Sequence, residues 1–284
     1  METYIDLHTH SKCSDGTLTP LELIAYAQKK KLSAIALTDH DTVAGIREAY
    51  SAAKSFGIEL VTGIEFSTNY MNKDIHILGY DFDAGNAHFQ EHIQNFQDSR
   101  LLRNHKIIDK LREHQIPLSM EILEETFPDA VITRAHLGKY LVMKGYVKTI
   151  TEAFDKYLGD NAPCFVPREK VSPHQAISVI HEAGGYAVLA HPLRYNLSSE
   201  KLENLVATLA KSGIDGIEAI YSTNRFSDTS AMKQMAKRYQ LAISGGSDFH
   251  GSNKPHIDLG IGMGNLKIPY SVLAHLREKP PKIK

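Results

Sequence analysis

At 284 residues, with 42% apolar side chains and a formal net charge of −1, the chain can bury a full core and carries no charge excess that would draw it to nucleic acid or a membrane surface. Two cysteines, Cys13 and Cys164, argue against a disulfide framework and fit a reducing compartment. The opening METYIDLHTH has no basic stretch ahead of an apolar core, and no run reaches the ~18 consecutive apolar residues of a membrane span, so a cytoplasmic protein without membrane association is expected.

In chain order, YIDLH reads as a first strand, PLELIAYAQKKK as a helix, LSAIALTDH as a strand, TVAGIREAYSAAKSFG as a helix and ELVTGIEFST as a strand. Strand-helix alternation at this rhythm predicts parallel βαβ units. Thr19-Pro20 supplies an N-cap and a proline at the first helical position, and Gly57 closes the second helix. After DIHILGYDFDAGN the rhythm breaks. A helix from about 88 to 115 follows, then helical pieces around MEILEETF, RAHLGKYLVMKG and TEAFDKYLG, none with a strand among them. Residues 87–164 are therefore read as an inserted helical subdomain, and 1–86 with 165–284 as the main domain. Strand-helix alternation resumes at PHQAISVIHEAGGYAVLAHP and runs through KLENLVATLAKSGIDGIEAIYS and MKQMAKRYQLAISGGSDFH to a helix near 270–278 and a basic tail.

Where these strands run out, metal-binding side chains collect: His8, His10 and Asp15, then His40, Glu65, His76, His191, Asp248 and His250. Residues two apart in a strand share a face, so His8 and His10 can grip one object, and Asp248-Phe249-His250 repeats the spacing. The C-terminal strand ends of a parallel barrel converge on one face, which would gather all nine around one cleft. Imidazole and carboxylate without thiolate suit Zn2+, Mn2+ or Fe2+. Nine ligands exceed one tetrahedral ion and suit two or three, an arrangement that favours phosphate ester hydrolysis. A lone histidine such as His76 is more often a satisfied polar group than a ligand. His88, His92, His105, His114 and His181, in helical segments, read as solvated surface.

The segments DLHTHSKCSDGTLTP, IALTDHDTVAG, VTGIEFS, HILGY, AVLAHP and SGGSDFH, in this order, resemble the motifs of the PHP (polymerase and histidinol phosphatase) phosphoesterases over essentially the whole chain. The resemblance implies an α/β fold, a distorted seven-stranded βα barrel. Together with YLGDNAPCFVPREKVSPHQAISVIHEAGGYAVLAHPLRY, the helical insertion resembles the branch that removes the 3′-phosphate of nucleoside 3′,5′-bisphosphates, some members also trimming short RNA from its 5′ end.

By position, the resemblance implies a first ion on His8, His10, Glu65 and Asp248 and a second on Asp15, His40 and His250. His76 and His191, with bridging Glu65, would complete a third. Two or three divalent ions (Mn2+, Fe2+ or Zn2+) are thus implied, with a metal-bound hydroxide as nucleophile and Glu65 and His191 in the catalytic set. Asp39 and Asp41 could orient imidazoles, and helix capping by Asp41 reads equally well. Arg134, His136 and Arg194 are the candidates for holding substrate phosphates, with a surface salt bridge as the other reading of each arginine. Asn224 lies near where some relatives carry a histidine, which leaves no general acid assigned there. The expected partner is a small nucleotide or a short RNA, with no obligate protein partner evident. An L-histidinol phosphatase, a metal-dependent amidohydrolase and a catalytically silent PHP scaffold are the competing readings.

Overall fold

A computed structural model of the chain describes residues 3–167 and 171–278, which places the basic tail outside the described residues. Seven strands form one sheet in sequence order: β1 (Ile5–Asp6), β2 (Ala34–Leu37), β3 (Glu59–Tyr70), β4 (Lys73–Tyr80), β5 (Tyr186–Leu189), β6 (Gly216–Tyr221) and β7 (Ala242–Gly246). The two edges approach each other: Leu7 N–H donates to Gly245 O at 3.2 Å, and Asp248 N–H to His8 O at 2.8 Å. The sheet is thus a nearly closed barrel.

Helices α1 (Pro20–Lys29) and α2 (Ile46–Phe56) return the chain between the first strands. Thr19 caps α1 in a capping box with Glu22, and Gly57 ends α2 at φ 67°, a left-handed conformation that costs glycine little. The expectation of parallel strands fails at β4. It folds back on β3 and pairs antiparallel with both β3 and β5, while every other pair is parallel. The cause is the short Met71-Asn72 connection, both residues at positive φ, which joins the strands as a tight hairpin with no room for a crossover helix.

Helix α3 (Ala87–Glu113) belongs to two cores. Its first turns send Phe89, Ile93 and Phe96 onto Phe66, Phe82, Ile177 and Ile180, against the barrel wall and α7 (Pro173–Glu182). Its last turns send Ile107, Ile108 and Leu111 into a separate core shared with α4 (Met120–Thr126), α5 (Arg134–Met143) and α6 (Ile150–Ala153), the last continuing as a π turn over Phe154–Leu158. α8 (Ser199–Lys211) and α9 (Phe226–Arg238) alternate with the later strands, and α10 (Ser271–Arg277) packs Val272 and Leu273 against strand residues including Ile5, Leu78 and Val188. Among the described residues, no helix is long and apolar enough to cross a membrane.

Candidate metal centre

The loop after β1 carries His8 and His10, and its course is set by buried hydrogen bonds. Asp39, in the loop after β2, accepts from Ser11 N–H at 2.7 Å, from Ser11 Oγ at 2.6 Å and from Ser14 Oγ at 2.6 Å. Gly246 lets the strand bearing Asp248 approach His8, since a Cβ at 246 would fall 2.2 Å from His8 Cβ. His191 and Asp248 adopt positive φ, 26° and 57°, as non-glycine residues. Strained backbone of this kind persists where surrounding structure holds a side chain to one direction.

Glu65, in the middle of β3 and buried, sits at the centre of the cluster. Its Oε2 stands 3.2 Å from each of His8 Nε2, His10 Nε2 and His40 Nδ1, and its Oε1 stands 2.8 Å from His76 Nδ1 and 2.9 Å from His191 Nε2. Asp248 Oδ1 lies 3.5 and 3.4 Å from His8 Nε2 and His10 Nε2. Asp15 lies 3.2 Å from His250 Nε2 and 3.7 Å from both His40 Nε2 and His10 Nδ1. All nine residues singled out in the sequence therefore meet in one place. His76 reaches it differently than expected: it is the fourth residue of β4, and because that strand runs backwards its beginning lies at the mouth where the parallel strands end.

Burial pushes the Glu65 carboxyl up, but His40, His8 and His76 outweigh it and hold the group well below the carboxylate range. Burial likewise raises Asp15 and Asp248, but interactions with His250 and His40 for the first, and with Lys254 and His250 for the second, bring both well below. Burial depresses the imidazole of His40 to about 3 and lowers His191 and His250. For His10 burial is overcome by the Asp248 and Glu65 carboxylates close to it, and the ring rises to about 9. The site thus packs ionised carboxylates against imidazoles of conflicting demand. His8 Nε2, His10 Nε2, His40 Nδ1 and Asp15 Oδ1 are buried with no hydrogen-bond partner. Three nitrogens at 3.2 Å from one carboxylate oxygen, none bonded to it, form a donor set that fits divalent cations and not a hydrogen-bond network.

Several residues that the sequence reading passed over complete the centre. Glu218 of β6, fully buried, accepts from His8 Nδ1 at 2.9 Å and from the backbone N–H of His191 at 2.7 Å, orienting the His8 imidazole and fixing the His191 backbone. Its signal was present: an acidic residue inside GIEAIY is costly unless paired. Tyr221 Oη and Lys254 Nζ both donate to Asp248 Oδ2, at 2.6 Å each. Asp41 does not cap α2, whose N-cap position is Gly45. Instead its buried carboxylate accepts from Ser67 N–H at 2.9 Å and from Arg100 Nε of α3 at 2.8 Å.

The phosphate candidates are placed unequally. Arg194, in the 3₁₀ turn Pro192–Tyr195 directly after His191, is exposed, and its charge acts on Tyr221. Arg134 bonds Asp74 at 2.8 Å and Leu158 O at 3.1 Å, with its guanidinium over the rings of Phe154 and Phe165. His136 is buried, its Nδ1 accepting from Thr133 N–H at 3.0 Å, while Thr133 Oγ1 donates to Asp15 at 3.0 Å. Asn224 is buried, its amide donating to Ala219 O at 3.1 Å. His181 is not solvated surface: it is buried, with Nε2 2.8 Å from Asp215.

Comparison with known proteins agrees with this geometry. The PHP domain family matches residues 6–166. A 5′-3′ exoribonuclease of Haemophilus influenzae is 40% identical over 245 residues, covering 86% of this chain and 89% of that one. A 3′,5′-nucleoside bisphosphate phosphatase of Chromobacterium violaceum is 33% identical, covering 90% of each. A solved structure from Chromobacterium violaceum, described as an amidohydrolase with bound sulfate and no metal, superposes with a TM-score of 0.87 at 31% identity over 98% of both chains. By sequence, by barrel topology and by its buried clusters of histidine and carboxylate, the chain belongs to the PHP domain family of phosphoesterases.

Proposed function

We propose that this chain hydrolyses the 3′-phosphate of nucleoside 3′,5′-bisphosphates and, at the same centre, removes nucleotides from the 5′ end of short RNA. The observation that carries the reading is Glu65, whose two oxygens divide five imidazoles between them. The similarity to an exoribonuclease and to a bisphosphate phosphatase supports both substrates. His8, His10, Glu65 and Asp248 would hold one divalent ion and Asp15, His40 and His250 a second; His76 and His191 share Glu65 in a third. Mn2+, Fe2+ and Zn2+ all suit these donors. Such ions, when bound, activate water and neutralise charge on phosphoryl oxygens.

The chain's own groups set the stage for that chemistry. Glu218 fixes the direction of His8 and the backbone of His191. Lys254 and Tyr221 keep Asp248 Oδ2 occupied, so that Oδ1 faces His8 and His10. A bisphosphate needs a cation outside the cluster for the phosphate that is not cleaved. Arg194 is exposed beside His191 and serves that phosphate. Arg134 contributes by exchanging Asp74 for a phosphate oxygen, a bidentate geometry that suits guanidinium.

Phosphate release by the Mn2+-loaded protein tests the reading. Adenosine 3′,5′-bisphosphate and short 5′-phosphorylated RNA should turn over well ahead of histidinol phosphate. A charge-assisted contact is worth roughly 1.5–3 kcal/mol, or about ten- to hundredfold in kcat/KM. Arg194→Ala should lose about that factor on the bisphosphate and much less on 3′-AMP, which lacks the second phosphate. Equal losses on both substrates would remove the bisphosphate assignment.

A further inference from the structure

Away from the barrel mouth, three ligand-type atoms converge where the start of α3 meets the end of α7. His88 Nε2 lies 3.1 Å from His92 Nε2 and 2.9 Å from Glu182 Oε2. The two rings stand edge to face, 86° apart, with centroids at 4.5 Å. An imidazole nitrogen has a single in-plane direction, holding either a proton or a lone pair, so His88 Nε2 cannot bond both neighbours well. A cation between the three gives each atom a partner in line. Tetrahedral coordination at ~2.0–2.1 Å sets two nitrogens about 3.3 Å apart, close to the separation found here. Histidines four apart on one helix face, joined by a carboxylate from a second element, bring their three ligand atoms within 4.8 Å of one another.

The backbone beneath these side chains is fixed. Asn86 caps α3 by accepting from Phe89 N–H at 3.0 Å, Phe89 stacks on Phe82 with centroids 4.4 Å apart, and Asp83 N–H donates to Ala183 O, one residue past Glu182, at 2.8 Å. Glu182 is the last residue of α7, whose C-terminal carbonyls favour a cation. We infer that His88, His92 and Glu182 form a second metal site, separate from the catalytic cluster, for Zn2+ or a similar borderline cation, with water completing the shell. The bound ion clasps the base of the insertion to the barrel.

The test is Zn2+ uptake by the Mn2+-loaded protein, followed by calorimetric titration and by elemental analysis after gel filtration. Wild type should take up one more equivalent than His88→Ala, His92→Ala or Glu182→Gln, and any exchange at the catalytic cluster is common to all four and cancels. All three residues are at least partly exposed, so the variants should fold and keep their phosphoesterase activity with Mn2+. Zn2+ should raise the thermal midpoint of wild type by more than that of any of the three variants. Equal uptake by wild type and all variants overturns the site.

Discussion

Glu65 is surrounded by five histidines and carries the negative charge that lets them share one space. Glu65→Gln keeps the shape and removes that charge. It should lower turnover by about 10²–10³-fold and leave the purified protein with fewer bound ions by elemental analysis; unchanged ion content would show that the carboxylate is not shared between ions. Glu218→Gln is the milder change, since an amide still accepts from His8 but orients it less firmly. Loss of such an outer partner costs about 10–100-fold in metal affinity, so activity should fall at low Mn2+ and recover at high Mn2+. The ligand positions were legible in the sequence because histidine and carboxylate at strand ends have few structural reasons to be there. Lys254 was not, since a loop lysine carries no spacing to read, and Glu218, a charge in an apolar strand that signals some pairing, gave no spacing to say with what. Nor could spacing distinguish Arg194, which the fold leaves exposed, from Arg134, which it ties to Asp74.

At the scale of elements, α3 carries the most consequence. The helix was readable from its apolar period, and so was the break in strand rhythm before it. Its double allegiance was not, because the same period serves whichever core the face meets, and a division at residue 87 would strip Phe89, Ile93 and Phe96 from the barrel. Arg100, between the two cores, reaches Asp41 next to His40 and Ser67 on β3, so the insertion is anchored beside the metal centre. Arg100→Ala leaves the buried Asp41 carboxylate without its guanidinium and should cost about 3–5 kcal/mol in denaturant unfolding. Adding Asp41→Asn should recover part of that, because no uncompensated charge then remains; a double variant as unstable as the single would assign the loss to packing. The antiparallel course of β4 was also hidden, since an alternating pattern reads the same in either direction.

For the whole molecule, candidate ligands drawn from six separate stretches of chain would make ion binding and folding one equilibrium. A site filled at a hundred times its dissociation constant adds about 2.7 kcal/mol, so stripping the ions with a chelator should lower the thermal midpoint by at least about 5 °C in calorimetry. A midpoint indifferent to chelator would mean the ions add nothing to the fold. The barrel seam carries a further implication. Asp6 accepts from Ser247 N–H across 241 positions of sequence, and His8 and His10 face Asp248 and His250 over the same join. On a ribosome adding ~5–20 residues per second, the first two histidines wait on the order of tens of seconds for their carboxylate partner to be made. The nascent chain therefore cannot complete this centre until Asp248 and His250 have been made. In the folded protein the same join couples the ions to barrel closure, so that losing them weakens the seam between β1 and β7.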